Sequence, residues 1–168
     1  MTDGMDRREF LQRGWKVGAG MAGVAGVWTS WDVLQPRDTG GLGGVVRTVP
    51  EEEVTEDTAI FIREAQTYLT RVDGEIIALW QRCPHLGCRV AWCDSSGEYE
   101  CACHGSTFNR VGEHRTGPAP FGMQQFAVEI VDGVVEVDTG TVSAGPPLGL
   151  ETIDEPRRGP SCSEGLHE

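Results

Sequence analysis

Positive charge is scarce in this sequence beside the negative. Lys and Arg number 14 against 26 Asp and Glu, a formal net charge of −12. Nucleic-acid binding depends on a basic surface, so that class is excluded. The charge fits solubility and a basic partner protein but names neither. Apolar residues are modest too: the hydrophobic fraction is 39% and there are 23 Gly in 168 residues. That composition points to a small core with many turns, in one domain of ordinary size plus extensions. Helical periodicity is missing after residue 44. Six Cys are too few for a disulfide-built scaffold, and four of them fall in two short motifs.

What is present begins at the N-terminus. Arg7 and Arg8 stand before Phe10 and Leu11, as in a twin-arginine export signal. Residues 17–34 then form an apolar run rich in Gly, Ala and Val, with Trp28 and Trp31 near its end and Asp32 as its one charge. A membrane span needs about 17–25 apolar residues, so this run is marginal for crossing and long for a cleaved signal. No clean A-x-A cleavage site follows it. The tryptophans suit a membrane–water interface. Glycines 14, 18, 20, 23 and 26 would each cost a water-exposed helix stability. Residues 1–34 are therefore read as an uncleaved, single-pass transmembrane signal-anchor helix, with a cleaved signal as the rival. Arg7, Arg8 and Arg13 would stay cytoplasmic, leaving the remainder on the extracytoplasmic side of the cell membrane.

Residues 35–44 contain four Gly and one Pro and read as a flexible neck. A coil of that length spans ~17 Å. From residue 45 the pattern is strand-like. Strands are expected at residues 45–49, 58–63, 67–72, 75–81, 127–131 and 134–137. Asp73-Gly74 and Asp132-Gly133 are hairpin signals. The acidic residues 51–56 read as an exposed loop. The fold class is all-β: a small antiparallel β-sandwich over residues 45–140, with an inserted subdomain at about residues 82–121. Residues 141–168, rich in Pro, Gly and charge, read as a disordered tail.

The insert carries the chemistry. Its first motif is Cys83, Pro84, His85, Leu86, Gly87 and Cys88; its second is Cys101, Ala102, Cys103, His104, Gly105 and Ser106. Each half supplies one Cys and one His at close spacing, plus a spare Cys. Thiolates are soft ligands suited to iron–sulfur clusters, and imidazole also suits iron. A Cys₂His₂ set could instead hold tetrahedral zinc, although zinc sites commonly pair like ligands at each end. Mixed halves suit a two-iron centre in which one iron takes both thiolates and the other both imidazoles.

The two motifs resemble the cluster-binding loops of Rieske [2Fe–2S] proteins, above all the iron–sulfur subunit of cytochrome bc-type quinol:cytochrome c oxidoreductases. Gly117, Pro118, Ala119 and Pro120 resemble that family's proline loop. The order of signal, anchor, neck and β domain is also the family's, and the resemblance covers about residues 5–140. It implies one [2Fe–2S] cluster with Cys83 and Cys101 on the buried iron and His85 and His104 on the outer one. It further implies a Cys88–Cys103 disulfide, a Ser106 hydroxyl donating to a bridging sulfide, and His104 meeting the quinol. The implied partners are cytochrome b and a c-type cytochrome, and the implied function is electron and proton uptake from quinol.

One departure matters. High-potential members carry a tyrosine where this chain has Phe108, and the missing hydroxyl predicts a lower potential. A lower-potential quinol such as menaquinol would then fit. Alternatives are the Rieske subunit of a periplasmic oxidase such as arsenite oxidase, a soluble Rieske ferredoxin, and a structural zinc domain. Cys93 and Cys162 lack motif partners and are read as free thiols, with a bond between them as the weaker alternative. His114 reads as a loop residue, His167 as part of the tail, and Trp80 and Trp92 as packing for the insert.

Overall fold

The computed structural model describes residues 6–34, 42–56 and 58–162. It contains two compact units, residues 1–37 and 38–168.

The first unit is a single helix, α1 (Arg7–Leu34), with no buried residue. Its large apolar side chains, among them Phe10, Trp15, Val24, Trp28, Trp31 and Leu34, are all exposed. No helix among the described residues is long and apolar enough to cross a membrane. The expected transmembrane span is thus met in length but not in apolarity. Five glycines, Ser30 and Asp32 dilute the hydrophobic residues.

The second unit is all β. Its strands are β1 (Val45–Pro50), β2 (Ile60–Ile62), β3 (Thr67–Val72), β4 (Glu75–Trp80), β5 (Ala91–Cys93), β6 (Glu98–Cys101), β7 (Ser106–Phe108), β8 (His114–Thr116), β9 (Gln125–Val131) and β10 (Val134–Ser143). They form a six-stranded sheet, β1-β10-β9-β4-β3-β2, and a four-stranded sheet, β5-β6-β7-β8. All pairings are antiparallel. Both expected hairpins form. Asp73 and Gly74, like Asp132 and Gly133, take positive φ, as a two-residue turn with the right twist demands.

The small sheet lies in sequence between β4 and β9, which pair with each other at Ala78↔Phe126 and Leu79↔Gln125. The large sheet therefore clamps both ends of the insert. Each body has its own core. Leu69, Ala78, Phe126, Val135 and Val137 pack the large sheet, while Leu79, Val90, Tyr99, Phe108 and Met123 pack the insert together with Cys83 and Cys101. Trp92 packs against the insert as expected. Trp80 instead packs against the large-sheet core, stacked near Phe126.

Two expectations about extensions need correction. Most of the neck, residues 35–41, lies outside the described residues. Its last two glycines are pinned to the domain, because the Gly43 and Gly44 amides both donate to Thr139 Oγ1. The supposed disordered tail is an ordered strap up to Cys162; residues 163–168, including His167, lie outside the described residues. Residues 141–143 complete β10. Beyond them the Gly122 amide donates to Pro146 O at 2.7 Å, and Thr152 donates through its amide and hydroxyl to the buried Glu113. Buried Arg110 pairs with Glu155, and Arg115 with Glu151 at 3.0 Å. Cys162 is disulfide-bonded to Cys93, with Cα atoms 5.7 Å apart, so neither is a free thiol. Composition reads a Pro/Gly-rich stretch as loose. Here specific ion pairs and one covalent bond, made to residues far away in sequence, supply the ordering free energy that local propensity does not.

Cross-linking residues 69 apart limits the unfolded chain, an effect worth about 4 kcal/mol by loop entropy. Cys162→Ser is expected to lower Tm by about 10–20 °C in calorimetry. Spectra of the insert's metal site should stay unchanged. An unaltered Tm would refute a stabilising role for the strap.

Candidate metal centre

Two hairpin loops and one covering loop converge at the free end of the insert. The first loop is closed at its base by Val90 N–H donating to Gln81 O at 2.7 Å and by an Arg82↔Arg89 bridge. Within it the Cys83 amide donates to Cys88 O and the Gly87 amide to Cys83 O. Gly87 has φ +81°, a left-handed turn that favours glycine. The second loop joins β6 to β7, with Cys101 paired to Ser106 and the Gly105 amide returning to Cys101 O at 3.0 Å.

The covering loop starts at Gly117. A Cβ there would come within 2.5 Å of Ser106 Cα, so only glycine allows this approach. The Ala119 amide donates to Ser106 Oγ at 3.2 Å. Ser106 is fully buried, and as an acceptor in that bond it keeps its own hydroxyl proton for another partner.

Every residue expected at the site is brought to this end. Cys83 and Cys101 are buried free thiols. His85 and His104 lie side by side, ring centroids 4.8 Å apart and nearly perpendicular. His85 is half-buried and His104 exposed. Cys88 and Cys103 form a disulfide that ties the two loops together, Cα atoms 6.6 Å apart. The sulfurs of Cys88, Cys101 and Cys103 all lie within 4.8 Å of one another, but two of the three are spent in that bond.

Burial pushes the Cys83 thiol up; the His85 and Leu86 backbone amides directed at it oppose the rise, and the neighbouring Cys101 adds to it. Two thiols pressed together out of water ionise together only when a cation takes their charge. The donor set fits an iron–sulfur group: soft sulfur below, imidazole above, and a free hydroxyl proton at the side.

A model of the Rieske [2Fe–2S] domain matches residues 44–127. The chain belongs to the Rieske family. Its cofactor is one Rieske-type [2Fe–2S] cluster. The cytochrome b6-f complex iron–sulfur subunit of Chlorobaculum tepidum is 28% identical over 138 residues, covering 79% of this chain and 75% of that one. The corresponding subunit of Synechococcus elongatus is 40% identical over 117 residues, 60% of this chain and 65% of that one. Among solved structures, the plasma membrane Rieske protein PetC3 of Synechocystis superposes with a TM-score of 0.48 at 23% identity, covering 55% of this chain and 98% of that one.

The structure also places residues around the centre whose surroundings the sequence did not give. Phe108 is fully buried, and its ring meets His114 edge-on at 5.9 Å. His114 is not in a loop: it opens β8, and its Nε2 lies 3.0 Å from Gly117 O at the start of the covering loop. Asn109 and Glu113 brace the turn before it, with Asn109 Nδ2 donating to Glu113 Oε2 at 2.6 Å. The only sequence signal for the strap bond was that Cys93 and Cys162 were both left over.

Proposed function

We propose that this Rieske protein is the electron-transfer subunit of a cytochrome bc-type or b6-f-type quinol oxidoreductase. In this reading Cys83 and Cys101 hold the inner iron, His85 and His104 hold the outer iron, and Ser106 donates to a sulfide. The observation that carries it is the pairing of two imidazoles at the accessible end with two unpaired thiols buried beneath them. When bound, the cluster supplies one-electron redox chemistry.

The chain's residues supply the rest. His104 is exposed, so a quinol hydroxyl could reach its imidazole. With the cluster held by Cys83, Cys101, His85 and His104, that imidazole would offer the quinol proton a place beside the group that would take the electron. Gly117, Pro118 and Ala119 cover the second loop and keep water from Ser106 and the thiols. The Cys88–Cys103 bond holds the two halves in register.

Helix α1 serves as export signal and membrane attachment. Its apolar side chains are exposed on all sides, which suits a non-aqueous surrounding or a partner helix better than water. The glycine neck then tethers a mobile head that meets quinol at cytochrome b and passes the electron to a c-type cytochrome.

Purification of the full chain from its native membranes tests the assignment. Co-eluting b- and c-type haem with quinol:cytochrome c turnover is expected. Recovery as a haem-free complex released from the periplasm would overturn it in favour of a periplasmic oxidase subunit.

A further inference from the structure

The chain is acidic overall, yet its cluster-bearing end is not. No Asp or Glu occurs in residues 76–93, 101–112 or 114–128, the stretches that build the three loops. Those stretches hold four arginines: Arg82, Arg89, Arg110 and Arg115. Arg110 and Arg115 are committed to the strap through Glu155 and Glu151. Arg82 and Arg89 are exposed and pair with no carboxylate among the described residues.

Arg82 and Arg89 sit directly opposite each other at the base of the first loop. Like charges at such a pair are destabilising. Each is held outward on an aromatic ring. Arg82 Cζ lies 5.3 Å from the Trp80 centroid, and Arg89 Cζ 4.8 Å from that of Phe61. Trp80 packs with the large-sheet core and Phe61 with the insert core. The loop that the two arginines close also carries Leu86, 71% exposed and next to His85. The Arg82 side chain also reaches Gly87, where an added Cβ would lie 3.0 Å from its Nε. Fold stability alone does not call for two facing, unpaired cations at the base of a loop that bears an exposed leucine.

We propose that Arg82 and Arg89, a cationic pair at the base of the loop that carries Leu86, form with it a surface that docks an electron-acceptor protein whose cofactor edge is ringed by carboxylates. The proposal rests on the electron-transfer reading above and names the chemistry of its acceptor. Net charge suggested a basic partner. At close range the local sign governs instead, because charges beyond a Debye length of about 8 Å at physiological salt are screened. An exposed apolar residue with charged residues nearby in the same loop also suits a docking face, whose centre is apolar and whose rim is polar.

Stopped-flow oxidation of the chemically reduced full chain tests this. The anionic oxidant hexacyanoferrate(III) takes one electron from the reduced cluster and becomes hexacyanoferrate(II). Its rate is expected to fall as salt rises from roughly 0.01 to 1 M, over which the Debye length shrinks from about 30 to 3 Å. A cationic cobalt(III) chelate should show the opposite slope. In the Arg82→Glu/Arg89→Glu variant the hexacyanoferrate rate should drop about tenfold at low salt and the slope should reverse. An unchanged reduced-state EPR line shape in that variant excludes damage to the cluster, and its measured potential corrects the rates for the change in driving force that the charge reversal brings.

A wild-type hexacyanoferrate rate that climbs with salt means the overall negative charge governs approach, and overturns the proposal. So does an unchanged slope in the variant. Arg-dependent flotation with anionic-lipid vesicles, without any effect on oxidation, would make a membrane the occupant and also overturn it. Failure of the functional reading looks different: either no cluster spectrum at all, or normal oxidation kinetics in a chain that never co-purifies with haem.

Discussion

Cys101→Ala is expected to leave a chain with no [2Fe–2S] cluster: no visible iron–sulfur absorption, no EPR signal on reduction, and no bound iron or sulfide. Cys101 is 3% exposed, and no described thiol can replace it, since Cys88, Cys93, Cys103 and Cys162 are all in disulfides. Cys83→Ala should do the same. The double variant should be no worse than either alone, because the two thiols act as one unit. Metal binding of this kind is coupled to folding free energy, so Tm should also fall. The loss should be local. The large sheet keeps its own core of Leu69, Ala78, Phe126, Val135 and Val137, and hydrogen exchange there should change little while exchange in the insert accelerates. Retention of a full complement of iron in Cys101→Ala would refute the ligand assignment.

Phe108→Tyr is expected to raise the reduction potential. Phe108 is fully buried at the end of β7 and shares the insert core with Cys83 and Cys101. A hydroxyl added there can donate to a ligand sulfur. Such a bond strengthens as electron density rises, so it favours the reduced state. A net hydrogen bond of about 1–1.5 kcal/mol corresponds to roughly 40–60 mV for one electron. His114, whose ring lies against Phe108, limits the space for the new oxygen, and the structure of the variant should show it turned toward the sulfur side. Protein-film voltammetry measures the shift. An unchanged or lowered potential would remove Phe108 as the cause of a low-potential centre, and with it the argument for a low-potential quinol.

The metal site was legible because its chemistry is local. Two short motifs each carry a Cys–His pair and a spare Cys, and the turns at Gly87 and Gly105 fold each motif on itself. The hairpins at Asp73-Gly74 and Asp132-Gly133 were legible for the same reason: two residues fix a turn type. The large sheet needed two non-local facts, the β4–β9 and β1–β10 pairings, which no turn announces.

The strap was not legible. Glu151, Glu155 and Cys162 look like scattered charge and a lone thiol in a Pro/Gly-rich stretch. Their partners Arg115, Arg110 and Cys93 lie 36, 45 and 69 residues away. The helix sits between these cases. Its extent follows the sequence pattern, but its apolarity falls short of a membrane span, and only its surroundings in the assembled complex decide its role. His114 was read as a loop residue because a single His at the edge of a short strand carries no motif. Its contact with Gly117 exists only once β8 brings the covering loop back over Ser106.

A Rieske centre carries thiolates on one iron and imidazoles on the other. Pulsed EPR of the reduced full chain, prepared with ¹⁵N-labelled histidine, tests that most directly. A rhombic signal from a mixed-valence pair, coupled to two histidine nitrogens, with two irons and two sulfides per chain, is the predicted result. An EPR-silent protein holding one zinc, or a cluster without nitrogen coupling, would contradict it.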